Sequence, residues 1–312
     1  MKPGIWFEAE NCAPGSKISE RHEFLLKRGG VPIFTGRYFL DLKIPAVRDY
    51  LRERVIDFLG HYGFRYIKID YNDSIGLGCD HPDGLGEGLR QSLLASQDFF
   101  AELRRKVPGL VIENCASGGH RLEPSMMALC DMASFSDAHE CVHIPIIAAN
   151  LHRLIQPSKS QIWAVLRKGD SLRRIHYSLV NTLLGVMCIS GDVYDLSEEQ
   201  WAVTDRVIAF YKRHSHVIKN GVSSFYGETG VSYVEPQGWQ AVARYDAESG
   251  KTLLVVHTFD GPIPERVRIP VSALRIEEVL CSEGNRVTLT NGFAEVELKA
   301  NFEALAILLT CE

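Results

Sequence analysis

One change of texture, at Gly221, restricts this chain more than any other feature. Upstream of it, short apolar runs of strand length alternate with longer stretches of helical periodicity. Downstream there are only short runs separated by turn residues. Parallel strands need a crossover between them, usually a helix, so the upstream pattern predicts a parallel α/β sheet. The downstream pattern predicts an antiparallel β-sandwich. The expected domains are therefore 1–221 and 222–312.

The upstream strands are expected at GIWFEA (4–9), RYIKID (65–70), LVIENC (110–115), MASFSD (132–137), QIWAVL (161–166) and GVMCISG (185–191). Between them, PAVRDYLRERVIDFLGHYG places Val47, Leu51, Val55 and Leu59 on one helical face, with Pro45 near its start and Gly63 beyond its end. SLLASQDFFAELRRKVPG is a second helix that stops at Pro108. SEEQWAVTDRVIAFYKRHSHVIKNG carries acids in its first turn and bases late, as the helix dipole favours. Downstream, strands are expected at GVSYVE, WQAVARYD, TLLVVHTF, RVRIPV, EEVLCS, RVTLT, AEVELK and ALAILLTC.

Chemistry collects at strand ends. In RYIKIDYN, alternation puts Lys68, Asp70 and Asn72 on one face and Ile67, Ile69 and Tyr71 on the other. Glu8 and Glu10 close the first strand, ENCASGGHR follows the third, and Ser136–Asp137 ends the fourth. In a parallel α/β barrel those ends form the catalytic rim. Two aspartates from different strands suit glycoside hydrolysis, one attacking the sugar or activating water and one protonating the leaving oxygen. The same residues have plainer readings: Asp70 and Asp137 as caps, Lys68 as an ion-pair partner, Cys115 as a buried thiol, Trp6 as core. Arg121 could simply pair with Glu123 or Glu113.

Composition excludes other classes. With 312 residues, 46% of them hydrophobic, the chain can bury a large core. A net charge of −5 with dispersed Lys and Arg argues against a nucleic-acid partner. No apolar run reaches membrane length, MKPGIWFEAE is not a signal peptide, and the eight cysteines lack CxxC spacing. Reduced thiols and a cytoplasmic location are the expectation. The Gly-rich GLGCDHPDGLGEG (76–88) lacks the GK[ST] ending of a phosphate loop, and Cys79, His81, His139, Cys141 and His143 match no zinc spacing. Both segments are expected to be solvated loops.

GIWFEAE, YIKIDYN, IENCASGGHRLEP, FSDAHE and CISGDVYDLS occur in the order and spacing of the glycoside hydrolase family 36 α-galactosidases, and the chain resembles a melibiase-type member. The resemblance implies a (β/α)8 TIM-type barrel, incomplete at its N-terminus, followed by a small antiparallel β-sandwich, and cleavage of terminal α-galactose with retention. It implies Asp70 as nucleophile, Asp137 as general acid/base, and Trp6, Arg37, Lys68, Asn72, Cys115, Ser117, Gly118 and Arg121 around the sugar. No metal and no cofactor are needed, and the partner is an α-galactoside oligosaccharide. Ala9, Glu123, Ala138 and His139 depart from the family pattern around the site, so an α-N-acetylgalactosaminide specificity or galactosyl transfer are the alternatives within the family; an inactive carbohydrate-binding fragment is the alternative from a different class. The family's first two barrel strands, the second with an Asp-Asp pair that grips galactose, and its large N-terminal β-domain have no counterpart. Residues 4–221 fall short of the roughly 250 of a complete barrel. Weak turnover by the isolated chain and association through the open barrel edge, or a homo-oligomer, are therefore expected.

Overall fold

A computed structural model describes residues 2–229 and 234–311. Two compact units emerge, Met1–Asp137 and Ala138–Glu312.

In the first unit four parallel strands run side by side in chain order: β1 (Gly4–Phe7), β2 (Tyr66–Ile69), β3 (Val111–Asn114) and β4 (Met132–Ser134). The register sets Trp6 beside Lys68 and Lys68 beside Glu113, so one row of polar side chains crosses three strands. The other face is apolar. Ile67, Ile69 and Ile112 are fully buried against Val47, Leu51, Val55 and Leu59 of α1 (45–62) and Phe99, Phe100 and Leu103 of α2 (Leu85–Lys106). Each such side chain contributes about 1.5–3 kcal/mol by burial. The helical spacing read for α1 holds, although its middle turn, Arg52–Asp57, is π-helical. Gly63 ends it in the left-handed conformation at φ 72°.

The Gly-rich stretch departs from its expectation. Helix α2 starts at Leu85, inside GLGEG, and Cys79 is buried rather than solvated. A Cβ on Gly88 would lie 2.0 Å from the Cys79 carbonyl oxygen, so the glycine lets helix and loop touch. Asp80 accepts the amides of Gly29 (2.7 Å) and Gly30 (2.8 Å), binding the loop to the turn of a small hairpin. Close packing accounts for Gly78 and Gly88, and left-handed backbone for Gly76 and Gly84.

The second unit carries the two remaining parallel strands, β5 (Ser160–Leu166) and β6 (Val186–Gly191), paired to each other, with helices α3 (Ile144–Leu151), α4 (Leu172–Asn181) and α5 (Glu198–Asn220). Ser197 and Gln200 close a capping box at the start of α5. Antiparallel strands follow: β7 (Val222–Thr229), β8 (Gly238–Asp246), β9 (Lys251–Thr258), β10 (Arg266–Pro270), β11 (Arg275–Leu280), β12 (Val287–Thr290), β13 (Phe293–Glu297) and β14 (Ala304–Thr310). They form sheets of order β7-β8-β9-β14-β11 and β10-β13-β12 around a core of Ala241, Leu254, Val256, Val267, Ile269, Val296, Leu305 and Ile307. Of the strand expected at GVSYVE, residues 230–233 lie outside the described residues, and Val234 and Glu235 are not in a strand. The strand that pairs with β8 is the preceding VSSFYGET, whose serines and glycine hid its β character. No helix among the described residues is long and apolar enough to cross a membrane.

Candidate active site

The expected site residues all fall in the first unit, and most of them meet around Asp70. Gly4 makes the first contribution. A Cβ there would press on the Tyr66 ring at 3.0 Å, so the glycine makes room for that ring. The Tyr66 hydroxyl then donates to Glu113, and Lys68 Nζ lies 3.3 Å from the same carboxylate. Burial opposes the charge on Lys68, but Glu113, Cys115 and Asp70 more than offset it and raise its pKa. The plain reading of Lys68 as an ion-pair partner is thus realised, with Glu113 as partner. Glu113, expected only as a candidate partner of Arg121, pairs with Lys68 instead, because the strand register sets the two side by side.

Asp70 is 7% exposed. Its Oδ1 accepts the Tyr71 amide at 2.9 Å and the Ser117 amide at 3.3 Å, and its Oδ2 accepts the Trp6 indole N–H at 3.3 Å. Burial alone would raise the carboxyl pKa. Hydrogen bonds from Cys115, Asn72 and Trp6, with the Lys68 charge, outweigh it and hold the group below the ordinary carboxylate range. The thiol of Cys115 is pushed up to about 11, chiefly by burial, so it is a donor to Asp70 and no nucleophile. Trp6 is 52% exposed, leaving its ring open beside the carboxylate that its N–H holds.

A second layer ties the rim together. Asn72 donates to Glu8 Oε1 (2.7 Å), accepts the Ser117 hydroxyl (2.9 Å) and accepts the Asn11 amide on its carbonyl (3.2 Å). Arg37 pairs with Glu8, and both line a cleft of about 380 Å³ with Asn11, Cys12, Ala13 and Gly36. Ser117 (φ 45°) and Asp73 (φ 98°), two non-glycine residues with left-handed backbone, flank this network. Such strain persists where surrounding contacts enforce it.

Arg121 sits beneath the rim. It is buried, and it pairs with Glu10 at 2.7 Å and with the Asn114 side chain at 2.9 Å. Its partner is neither Glu123 nor Glu113. Burial opposes its charge and Glu10 outweighs that, raising its pKa. Glu8 and Glu10 were visible at a strand end, but their roles needed the arginines that fold onto them.

Asp137 is exposed and its side chain hydrogen-bonds to no other described residue. Gly118 approaches its backbone closely: at φ 79°, a Cβ on Gly118 would lie 2.7 Å from the Asp137 nitrogen and 2.7 Å from the Ser136 Cα. A Cβ on Gly119 would lie 2.4 Å from the Phe135 oxygen. The two glycines therefore lay the 115–119 loop flat on the end of β4. That loop touches Asp70 through one residue and the Asp137 backbone through the next.

Carboxylates, a lysine and an exposed indole gather at the C-terminal ends of parallel strands, where enzymes of the (β/α)8 kind carry their active sites, on a chain that ends in an antiparallel β-sandwich. The chain belongs to the Melibiase family, whose model matches residues 1–221. It is 33% identical over 231 residues to an alpha-galactosidase of Escherichia coli, covering 71% of this chain and 32% of that one. It is 31% identical over 130 residues to a probable alpha-galactosidase C of Aspergillus terreus, covering 41% and 17%. Among solved structures, a variant of the family 36 alpha-galactosidase AgaA from Geobacillus stearothermophilus in complex with raffinose superposes with a TM-score of 0.80 at 19% identity, over 99% of this chain and 45% of that one. The galactosidase domain of the alpha-galactosidase-sucrose kinase AgaSK gives 0.79 at 19%, over 99% and 44%. These neighbours carry the fold, an incomplete TIM-type barrel with a C-terminal sandwich. The chain spans less than half the length of those structures, and its matched stretches are a third or less of the curated relatives.

Proposed function

We propose that this chain is the catalytic portion of a retaining α-galactosidase acting on α-galactoside oligosaccharides. Asp70 attacks the anomeric carbon and forms the glycosyl-enzyme bond. Asp137 protonates the departing glycosidic oxygen, and then takes a proton from the water that releases the sugar. The observation that carries this reading is the environment of Asp70: a buried carboxylate held ionised by an indole N–H, two backbone amides and a neighbouring lysine, beside an open tryptophan face. A nucleophile must be unprotonated at working pH, and this environment secures that. Lys68, Asn72, Ser117, Gly118 and Arg37 surround the sugar, while Arg121 acts through Glu10. Family membership and the named relatives support the α-galactoside assignment.

The test is turnover of an aryl α-galactoside by the purified chain and its variants. Asp70→Asn should reduce kcat about 10³-fold or more. Asp137→Ala should spare substrates with an activated leaving group far more than raffinose, and added azide should restore part of its rate. A parent chain that neither turns over the substrate nor is labelled at Asp70 by a galactose-configured fluorosugar would overturn the reading. So would an Asp70→Asn variant as active as the parent.

A further inference from the structure

In the second unit, the inner face of the sandwich opens at one end into a cleft of about 620 Å³, a size usual for small-molecule sites. The strand register builds it. Three cross-strand rows lie on this face: Tyr226–Ala241–Val256, Ser224–Ala243–Leu254 and Val222–Tyr245–Thr252. Ser224 and Ala243 are small and form a floor where branched side chains fill the rest of the core. Tyr226 and Tyr245 stand on either side, in rows four residues apart, or about 13 Å along the strands. The far wall is the tip of the other sheet: Pro270 to Ser272, held to the 291–292 turn by the Val271 amide on the Gly292 carbonyl at 2.9 Å.

The chemistry of the lining is selective. None of the described lining residues carries a charge, so neither a phosphate nor a charged peptide finds a counter-ion there. The hydroxyls of Tyr226, Tyr245, Ser224 and Ser272 hydrogen-bond to no described residue, and Tyr245 is 38% exposed. Two aromatic faces about one sugar pair apart, with free hydroxyls between them, suit a ligand that stacks its C–H face and exchanges neutral hydrogen bonds. We propose that this cleft is a second, non-catalytic binding site for a neutral saccharide, seated on the Ser224–Ala243 floor between the two tyrosines. The proposal stands on the sandwich alone and does not depend on the catalytic reading.

The full chain is titrated with raffinose and, separately, with maltotriose, by calorimetry and saturation-transfer NMR at millimolar concentration. Saturable binding of at least one should persist in Asp70→Asn and weaken about tenfold or more in Tyr226→Ala/Tyr245→Ala. Ser224→Leu fills the floor without removing an aromatic wall, and should abolish that binding with the thermal midpoint unchanged. It decides the matter if the double variant does not fold. Binding that survives Ser224→Leu combined with Trp6→Ala overturns the proposal, as does binding lost in Trp6→Ala alone, or no saturable binding of either sugar by the parent.

Discussion

The two units treat their most deeply buried titratable groups differently. The first keeps its buried groups charged and pairs them: Arg121 with Glu10, Lys68 with Glu113, Asp70 with a ring of donors. The second also buries Arg244, Asp246 and Glu303, but it keeps its buried imidazoles neutral. His257 and His176 are held down to about 3 and about 4, chiefly by burial, and the hydroxyl of Tyr177 donates to the Thr258 carbonyl at 3.0 Å. Burying an ion is costly unless it is paired and fully hydrogen-bonded, so charge persists inside only where neighbours enforce it. The contrast separates a region whose buried charges surround one carboxylate from one whose buried imidazoles stay neutral.

The sharpest way to break the contrast is to unpair a charge. Arg121→Met leaves Glu10 buried without its cation and should destabilise the first unit by about 3–5 kcal/mol, read from urea unfolding. Replacing both, with Glu10→Leu added, should recover most of that loss. If Arg121→Met alone costs less than about 1 kcal/mol, the pairing is not what keeps the charge inside.

Steric strain comes next. Gly118→Ala places a methyl against the Asp137 backbone at a left-handed φ, which should cost about 1–3 kcal/mol of stability. Because it moves one carboxylate and not the other, kcat should fall about 10²-fold while KM changes little. Parental kcat in Gly118→Ala would show that the loop does not hold the spacing of the two carboxylates.

Acid titration sharpens the contrast. The folded pKa values of His257 and His176 lie below the ordinary 6.5, so between about 6.5 and 4 the unfolded chain binds more protons than the folded one. Stability of the second unit should be complete above about pH 6.5 and fall as pH is lowered, by up to about 1.4 kcal/mol per pH unit for each imidazole. Asp70 is lowered too, but from 3.8, so its contribution to the first unit is present above that pH and is lost only as pH drops through the lower folded value. Hydrogen exchange measured between pH 7 and 4 should therefore weaken the second unit first. His257→Leu should flatten that dependence by about a third, because His152 and His176, both held down to about 4 chiefly by burial, keep their share. At the small end, Arg21→Ala breaks an exposed pair with Glu23 and should change stability by less than about 1 kcal/mol.

Much of this was legible along the chain. All six parallel strands and the helical face of Val47, Leu51, Val55 and Leu59 follow from periodicity, because each element's buried side is written in its own spacing. The alternation of Lys68, Asp70 and Asn72 was equally readable. VSSFYGET was not, since an edge strand with little apolar weight leaves a faint pattern. GLGEG reads as loop because glycine in a helix is disfavoured unless something must approach closely, and no periodicity announces that the chain folds back to set the Cys79 carbonyl against Gly88.

The sequence by itself determined the order of elements, the switch from parallel to antiparallel strands at Gly221, and the residue types offered at each strand end. Local spacing carries that information because the helix and strand periods are fixed by backbone geometry. Only the tertiary structure decided the partnerships: that Lys68 faces Glu113, that Arg121 meets Glu10 across 111 positions, and that Gly118 lies against Asp137. These depend on strand register and loop closure, which bring together residues that no local pattern relates. For that reason, RYIKIDYN shows a polar face in the sequence, but only the fold shows what holds Asp70 ionised.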